Sequence, residues 1–223
     1  MLRGEERSTS TGSTRRTAGP TGLSPIPHAF PRVRRAQEEA SSPAPPAWRF
    51  DTVHSTIEFS VRRMLVGRVS GQFTKWRGTM TFDHAHPEVS ELSVRIDAAS
   101  IDTGDLERDA HLRSPDFLHA DQHPLLTFES LGVARVGEGH FAVTGALQIR
   151  GVTREVVLDA IYRGTARDLW GNDHLSFEAS GRIERGAFGL KWNQVMPTGE
   201  LFVGESVEIA MAIEATRLPA NVA

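Results

Sequence analysis

The chain has 223 residues, 39% of them hydrophobic and 24% charged, and contains no cysteine. Without cysteine there is no disulfide framework, thiolate zinc site, iron–sulfur cluster or cysteine nucleophile. A formal net charge of −3 argues against the clustered basic face of a nucleic-acid binder, and no window approaches the roughly 18 continuous apolar residues of a membrane-spanning helix.

Residues 1–47 are rich in Ser, Thr, Gly, Pro and Arg, with seven Arg against four Glu, so this segment is +3 and residues 48–223 are −6. Its apolar residues are scattered without a period, and such a stretch cannot bury enough surface to offset its ordering entropy. It reads as a disordered arm ending in the stiff spacer Ser42-Pro43-Ala44-Pro45-Pro46. Arg15-Arg16 is a superficial export match. The residues that follow carry Pro20, Pro25, Pro27 and Pro31 and no apolar run, so the expected location is cytoplasmic.

From Trp48 onward the dominant pattern has period two. Ile57, Phe59 and Val61 alternate with polar residues. So do Val69, Gly71 and Phe73, then Met80 and Phe82, then Leu92, Val94 and Ile96. Longer runs follow at Phe141–Ile149, Leu175–Ile183 and Val207–Ile213, while 125–136 and 153–163 are strand-like but change phase, as at a bulge. One apolar face per strand marks antiparallel sheet. Turn formers separate the runs, including Gly67, Asp83 to Pro87, Gly137-Glu138-Gly139, Gly151 and Gly171-Asn172-Asp173. Eight or nine such strands imply an all-β barrel or sandwich. Residues 103–119 lack the alternation and predict a short helix over 104–113 with Thr103 as N-cap, then one more turn at 115–118. The domain is expected to span 48–217, with a tail at 218–223.

No nucleophile elbow, P-loop or dinucleotide fingerprint occurs. His111, His119 and His123 surround the helical segment and would make a loop-borne, metal-assisted enzyme site if they converged. Nothing in their spacing matches a known zinc signature. Gly71, Gly145 and Gly181 fall on the inner face, where glycine either bends a barrel strand or leaves internal room. The other inner candidates, Phe59, Phe73, Phe82, Val94, Phe128, Phe141, Phe177 and Met211, would line a cavity selective for an apolar chain. The alternative is a filled core, as in a stress-related interaction module.

The motifs fall into a recognisable order. Trp48-Arg-Phe-Asp51 leads into His54-Ser55-x-Ile57-x-Phe59-Ser60-Val61-Arg62. Later come Arg108-Asp109-x-His111-Leu112, Ser114-x-Asp116-Phe117, His123-Pro124-x-Leu126-Thr127-Phe128 and Arg185-x-x-Phe188-Gly189-Leu190-x-Trp192-Asn193. This chain resembles the YceI-like polyisoprenoid-binding family over Trp48 to Arg217. The resemblance implies an extended antiparallel, eight-stranded, lipocalin-like β-barrel with a short helical segment near 104–118. It also implies a non-enzymatic protein, often homodimeric, that needs no cofactor. Its ligand would be a long-chain isoprenoid lipid of the polyprenyl quinone or polyprenyl phosphate type. Phe117, Phe188 and Trp192 then join the expected pore residues. Arg63 and Arg108 are the rim charges expected near a polar head. His54, Ser55, Arg108, Asp109 and His111 are signature positions, expected to hold the N-terminal strand and the helical segment. Arg63 stands where relatives commonly carry His, so no role of that His is transferred.

Overall fold

The alternating runs become eleven antiparallel strands in a computed structural model that describes residues 45–64 and 66–219. They are β1 (Ala47–Phe50), β2 (Thr56–Arg63), β3 (Gly67–Phe73), β4 (Trp76–Thr81), β5 (Glu91–Asp97) and β6 (Ile101–Asp102). β7 (Leu125–Gly137), β8 (His140–Ile149), β9 (Val152–Arg167), β10 (Asp173–Glu184) and β11 (Val203–Arg217) complete the set. Eleven strands occupy only eight positions. β1 and β2 lie end to end against β11, with Trp48 opposite Arg217 and Thr56 opposite Ala212. β4 and β3 share the next position, against β1 and β2, and β5 and β6 share the one after. β7 to β11 follow in chain order, and β11 returns to β1 and β2, so the sheet closes into an eight-stranded barrel. Apart from that closure, neighbouring positions follow one another along the chain, as short connections favour.

The interruptions of the first three positions lie side by side, at 51–55, 74–75 and 98–100. Polar groups bridge them. Asp51 N–H donates to Glu214 O at 2.8 Å. The Ser55 hydroxyl accepts from Glu214 N–H at 2.8 Å and donates to Glu214 O at 3.2 Å. Thr74 N–H donates to Ser100 O, and Asp97 N–H to Lys75 O. Backbone groups that lose their ladder partner are thereby satisfied, as burial requires.

The expected phase changes are present. β7 is irregular between Ser130 and Gly132 and again between Arg135 and Gly137, and β9 carries an extra residue opposite Ser176 and Phe177. The helix, α1, runs Leu106–Arg113, later than expected, because Asp105 caps it by accepting from Arg108 N–H at 3.1 Å. Thr103 is engaged elsewhere, since its N–H and hydroxyl both donate to Asp109 Oδ1. The sheet also starts earlier than expected, since Pro46 O accepts from Phe82 N–H and Ala47 is already paired. The rest of the arm expected over 1–47, and the end of the tail at 220–223, lie outside the described residues. Among the described residues no helix is long and apolar enough to cross a membrane.

A candidate ligand cavity and its two ends

The inner faces of the strands enclose a cavity of about 380 Å³ whose lining extends along the barrel from Ser90 to Phe202. That volume lies in the range of small-molecule sites, roughly 300–1,000 Å³. The core is therefore not solid, which removes the filled-core alternative. Phe59, Phe73, Phe82, Val94, Phe117, Phe128, Phe141, Phe177, Trp192 and Met211 all lie on the wall. Phe188 is a correction. It sits in a 3₁₀ turn after β10, is buried, and is not on the wall. Its segment has no period, so sequence could not tell it from Trp192 four residues on. Ile57, Leu158, Ile209 and Phe202 line the cavity without having been singled out. For Ile57 and Ile209 the alternation itself was the available signal.

The inner glycines neither leave empty room nor simply bend the wall. A Cβ built on Gly145 would meet the Phe128 ring at 2.1 Å, one on Gly71 the Phe59 ring at 2.6 Å, and one on Gly181 a Leu158 methyl at 2.7 Å. Each glycine is a recess that lets a large neighbour lie against the wall. The rings are kept out of the lumen, and cavity volume survives in a barrel rich in aromatics.

The turn end of the barrel, formed by the β4–β5, β7–β8 and β9–β10 connections, is closed by packing. Phe82 meets Phe177 at 5.0 Å and Phe141 at 5.6 Å, both edge to face, and Tyr162 lies 5.3 Å from Phe177. Such geometry adds about 0.5–1.5 kcal/mol per pair beyond area burial.

The helix end, formed by α1, the β2–β3 hairpin and the 185–202 connection, is closed by guanidinium groups holding backbone carbonyls. Arg185, only 6% exposed, donates to Gly204 O at 2.8 Å, Leu190 O at 2.6 Å and Trp192 O at 2.9 Å. Burial pushes its pKa down. Arg150 donates to Phe117 O and Gly189 O, and Arg113 to Ala99 O and Ile101 O. Arg108 donates through Nε to the Thr103 hydroxyl at 2.7 Å. Arg63 lies over the Phe202 ring, 4.6 Å from its centroid. Arg63, Arg108, His111 and Arg185 all border the cavity, so its polar groups gather chiefly at this end. Arg185 was missed as a lining residue because a cation between Glu184 and Gly186 reads as a surface residue.

Two further signature residues are placed away from the cavity. His54 is exposed in the β1–β2 gap, where its Nδ1 lies 2.8 Å from Asp51 Oδ2; the bond raises the pKa of His54 and lowers that of Asp51. Asp109, 2% exposed, is engaged by Thr103. Neither meets the cavity as a rim group would: His54 engages the Asp51 side chain, and Asp109 accepts from the Thr103 N–H and hydroxyl. His111, His119 and His123 do not converge. His111 Nε2 lies 2.9 Å from Asp116 Oδ2 and its ring packs 4.7 Å from Trp192, while His119 and His123 pair with each other at 5.8 Å. Among the described residues, the one group of three acids and histidines with ligand atoms within 4.8 Å of one another is Asp51, His54 and Glu214. Its members are already bonded to each other or to the chain.

Residues 48–215 match the profile of the YceI-like domain. A "UPF0312 protein" of Serratia proteamaculans is 37% identical over 164 residues, covering 74% of this chain and 82% of that protein. The crystal structure of Burkholderia cenocepacia BcnA superposes with a TM-score of 0.67 at 25% identity, covering 75% of this chain and 99% of the other. A Saccharophagus degradans domain described as polyisoprenoid-binding superposes with a TM-score of 0.57 at 16% identity, covering 78% and 99%. At that identity the likeness concerns the fold.

Proposed function

The chain belongs to the YceI-like family, and we propose that it is a non-enzymatic carrier that holds a long-chain polyisoprenoid lipid in its barrel. The observation that carries this reading is the apolar cavity along the barrel, closed by aromatics at one end and bordered by Arg63, Arg108 and Arg185 at the other. The name of the Saccharophagus domain supports it as analogy. Each buried methylene contributes about 0.8 kcal/mol. Ordering a flexible chain offsets much of that gain, so contact area supports an apolar, slender ligand without setting its affinity. The aromatic end would receive the tail terminus. A polar head, quinone or phosphate, would lie at the arginine end, where guanidinium groups donate hydrogen bonds to carbonyl or phosphoryl oxygens. The wall offers no nucleophile or paired carboxylates toward its middle, which suits storage or transport.

Native mass spectrometry of protein gently purified from its host tests this reading and reports the oligomeric state at once. The expected result is a bound polyprenyl species released on denaturation. Repeated absence of lipid, together with no uptake of an offered polyprenyl quinone or phosphate, would overturn it.

A further inference from the structure

We propose that two hairpin tips at the helix end form a docking surface for a bilayer rich in anionic phospholipid, so that an isoprenoid passes between membrane and lumen without crossing water. The proposal rests on the carrier reading for its purpose, but its evidence is separate.

Two hairpins stand side by side at this end. Met64 N–H donates to Phe202 O at 3.0 Å, and Arg63 pairs with Val203. The second hairpin is held by its own bonds: Val195 bridges Leu201, Met196 N–H donates to Glu200 O, and Gly199 N–H donates to Met196 O. Both present apolar side chains to water. Val66 is 93% exposed and Val195 70%, and Met64 and Leu201 are exposed beside them. Valines held outward by ordered backbone add nothing to the barrel's own core. They gain free energy only when another apolar phase covers them.

Charge identifies that phase. Segments 61–68 and 191–203 carry Arg62, Arg63, Arg68 and Lys191 against the single acid Glu200, and no Asp or Glu occurs from Phe59 to Phe82. Arg68 is paired with Glu208, and α1 with its flanks is acidic, six Asp and Glu over 102–121 against Arg108 and Arg113, so the cationic surface is confined to the two hairpins. The turn end is opposite in sign to these hairpins. Its loops at 83–90, 137–140 and 167–173 carry Asp83, Glu88, Glu138, Asp168 and Asp173 against Arg167. Leu169 and Trp170 are also exposed there, 98% and 85%, but on an acidic turn that an anionic surface repels. Apolar tips flanked by cations match an anionic bilayer, which draws juxtaposed Lys and Arg through its surface potential. The cavity lining reaches Arg63, Trp192, Phe202 and Val203, which places the docking tips beside the lumen.

Co-sedimentation of the full chain with vesicles tests this. One set is phosphatidylcholine alone, the other equimolar phosphatidylcholine and phosphatidylserine. Binding is expected to the anionic vesicles, to weaken with added salt, and to fall about tenfold or more in a Val66→Glu/Val195→Glu variant. A Leu169→Glu/Trp170→Glu variant should bind as the parent does. Thermal unfolding of each variant confirms that it is folded. Every sample keeps the basic arm, so undiminished binding of the hairpin variant would assign the attraction to that arm and overturn the proposal. Absence of vesicle binding, or its loss in the turn-end variant alone, would do the same. Lipid extraction from the same samples separates the two readings. Docking without any bound isoprenoid supports the surface and sinks the carrier. A loaded protein that ignores vesicles does the reverse.

Discussion

The two ends of the barrel are closed by different physics. At the turn end, Phe82, Phe141 and Phe177 interlock edge to face with Tyr162 tilted against them, and the closure is a continuation of the core. At the helix end, Arg150 and Arg185 reach across loops to carbonyl oxygens, and the closure is a set of hydrogen bonds spread over irregular backbone. Dispersion contacts add up over many atoms and yield gradually. A hydrogen-bonded cap is decided by a few donors, and losing one leaves several buried acceptors unpaired. The pairing teaches where such a container can open without losing its fold.

The sharpest way to break this contrast is to empty the turn end. Phe141→Ala, at one of the most buried side chains, is expected to cost about 4 kcal/mol, read as one cooperative transition in denaturant. Loss of the cavity's closure with no loss of stability would refute the view that this end belongs to the core. Arg185→Met comes next, at about 3 kcal/mol, because three carbonyls lose their donor. Here hydrogen exchange should show residues 185–204 opening before the strands do; uniform loss of protection would erase the distinction between the ends. Gly145→Val acts between them. Its methyls would displace the Phe128 ring at a cost of about 2 kcal/mol, and lipid held per protein, measured by extraction, should fall more steeply than stability.

The smallest effect concerns the β9–β10 turn. Asp168 is held well below the usual carboxylate range, first by the Asn172 side chain at 2.8 Å, then by His174 and the N–H groups of Asn172 and Trp170. A depressed carboxylate stabilises the folded form above its ordinary range, and the contribution is lost as pH falls through the lowered value. Carboxyl-carbon NMR should therefore place the Asp168 midpoint below that of an ordinary Asp. An ordinary midpoint would show that the clasp does not form.

Much of the wall was legible because period two is a geometric necessity of a strand with one dry face. Phe59, Val94, Phe128 and Met211 follow from it. What was not legible depends on partners distant in sequence or on segments with no period. Thr103 and Asp105 are both good caps by type, and only the engagement of Thr103 by Asp109 decides between them. The recesses at Gly71 and Gly145 depend on which ring lies across them. The division of eight positions into eleven strands does mark the alternation, since the inward residues change parity at each break, from Phe50 to Ile57, from Phe73 to Met80 and from Ile96 to Ile101, but a phase change alone does not tell a break from a bulge. Arg185 could not be placed at all without the carbonyls that surround it.

Those breaks have a mechanical consequence. At 51–55, 74–75 and 98–100 three neighbouring strands give up regular pairing along one line, and side chains such as Ser55 bridge it. A closed cylinder of unbroken ladders resists any change of girth, because every strand must shear against two others. A cylinder scored along a crease does not. Deformation should concentrate where ladder bonds are already absent, so the proposed carrier would adjust to a thicker or thinner guest by flexing at the score line. The barrel is built like a cuff with a pleat, fixed around most of its circumference and adjustable at one seam.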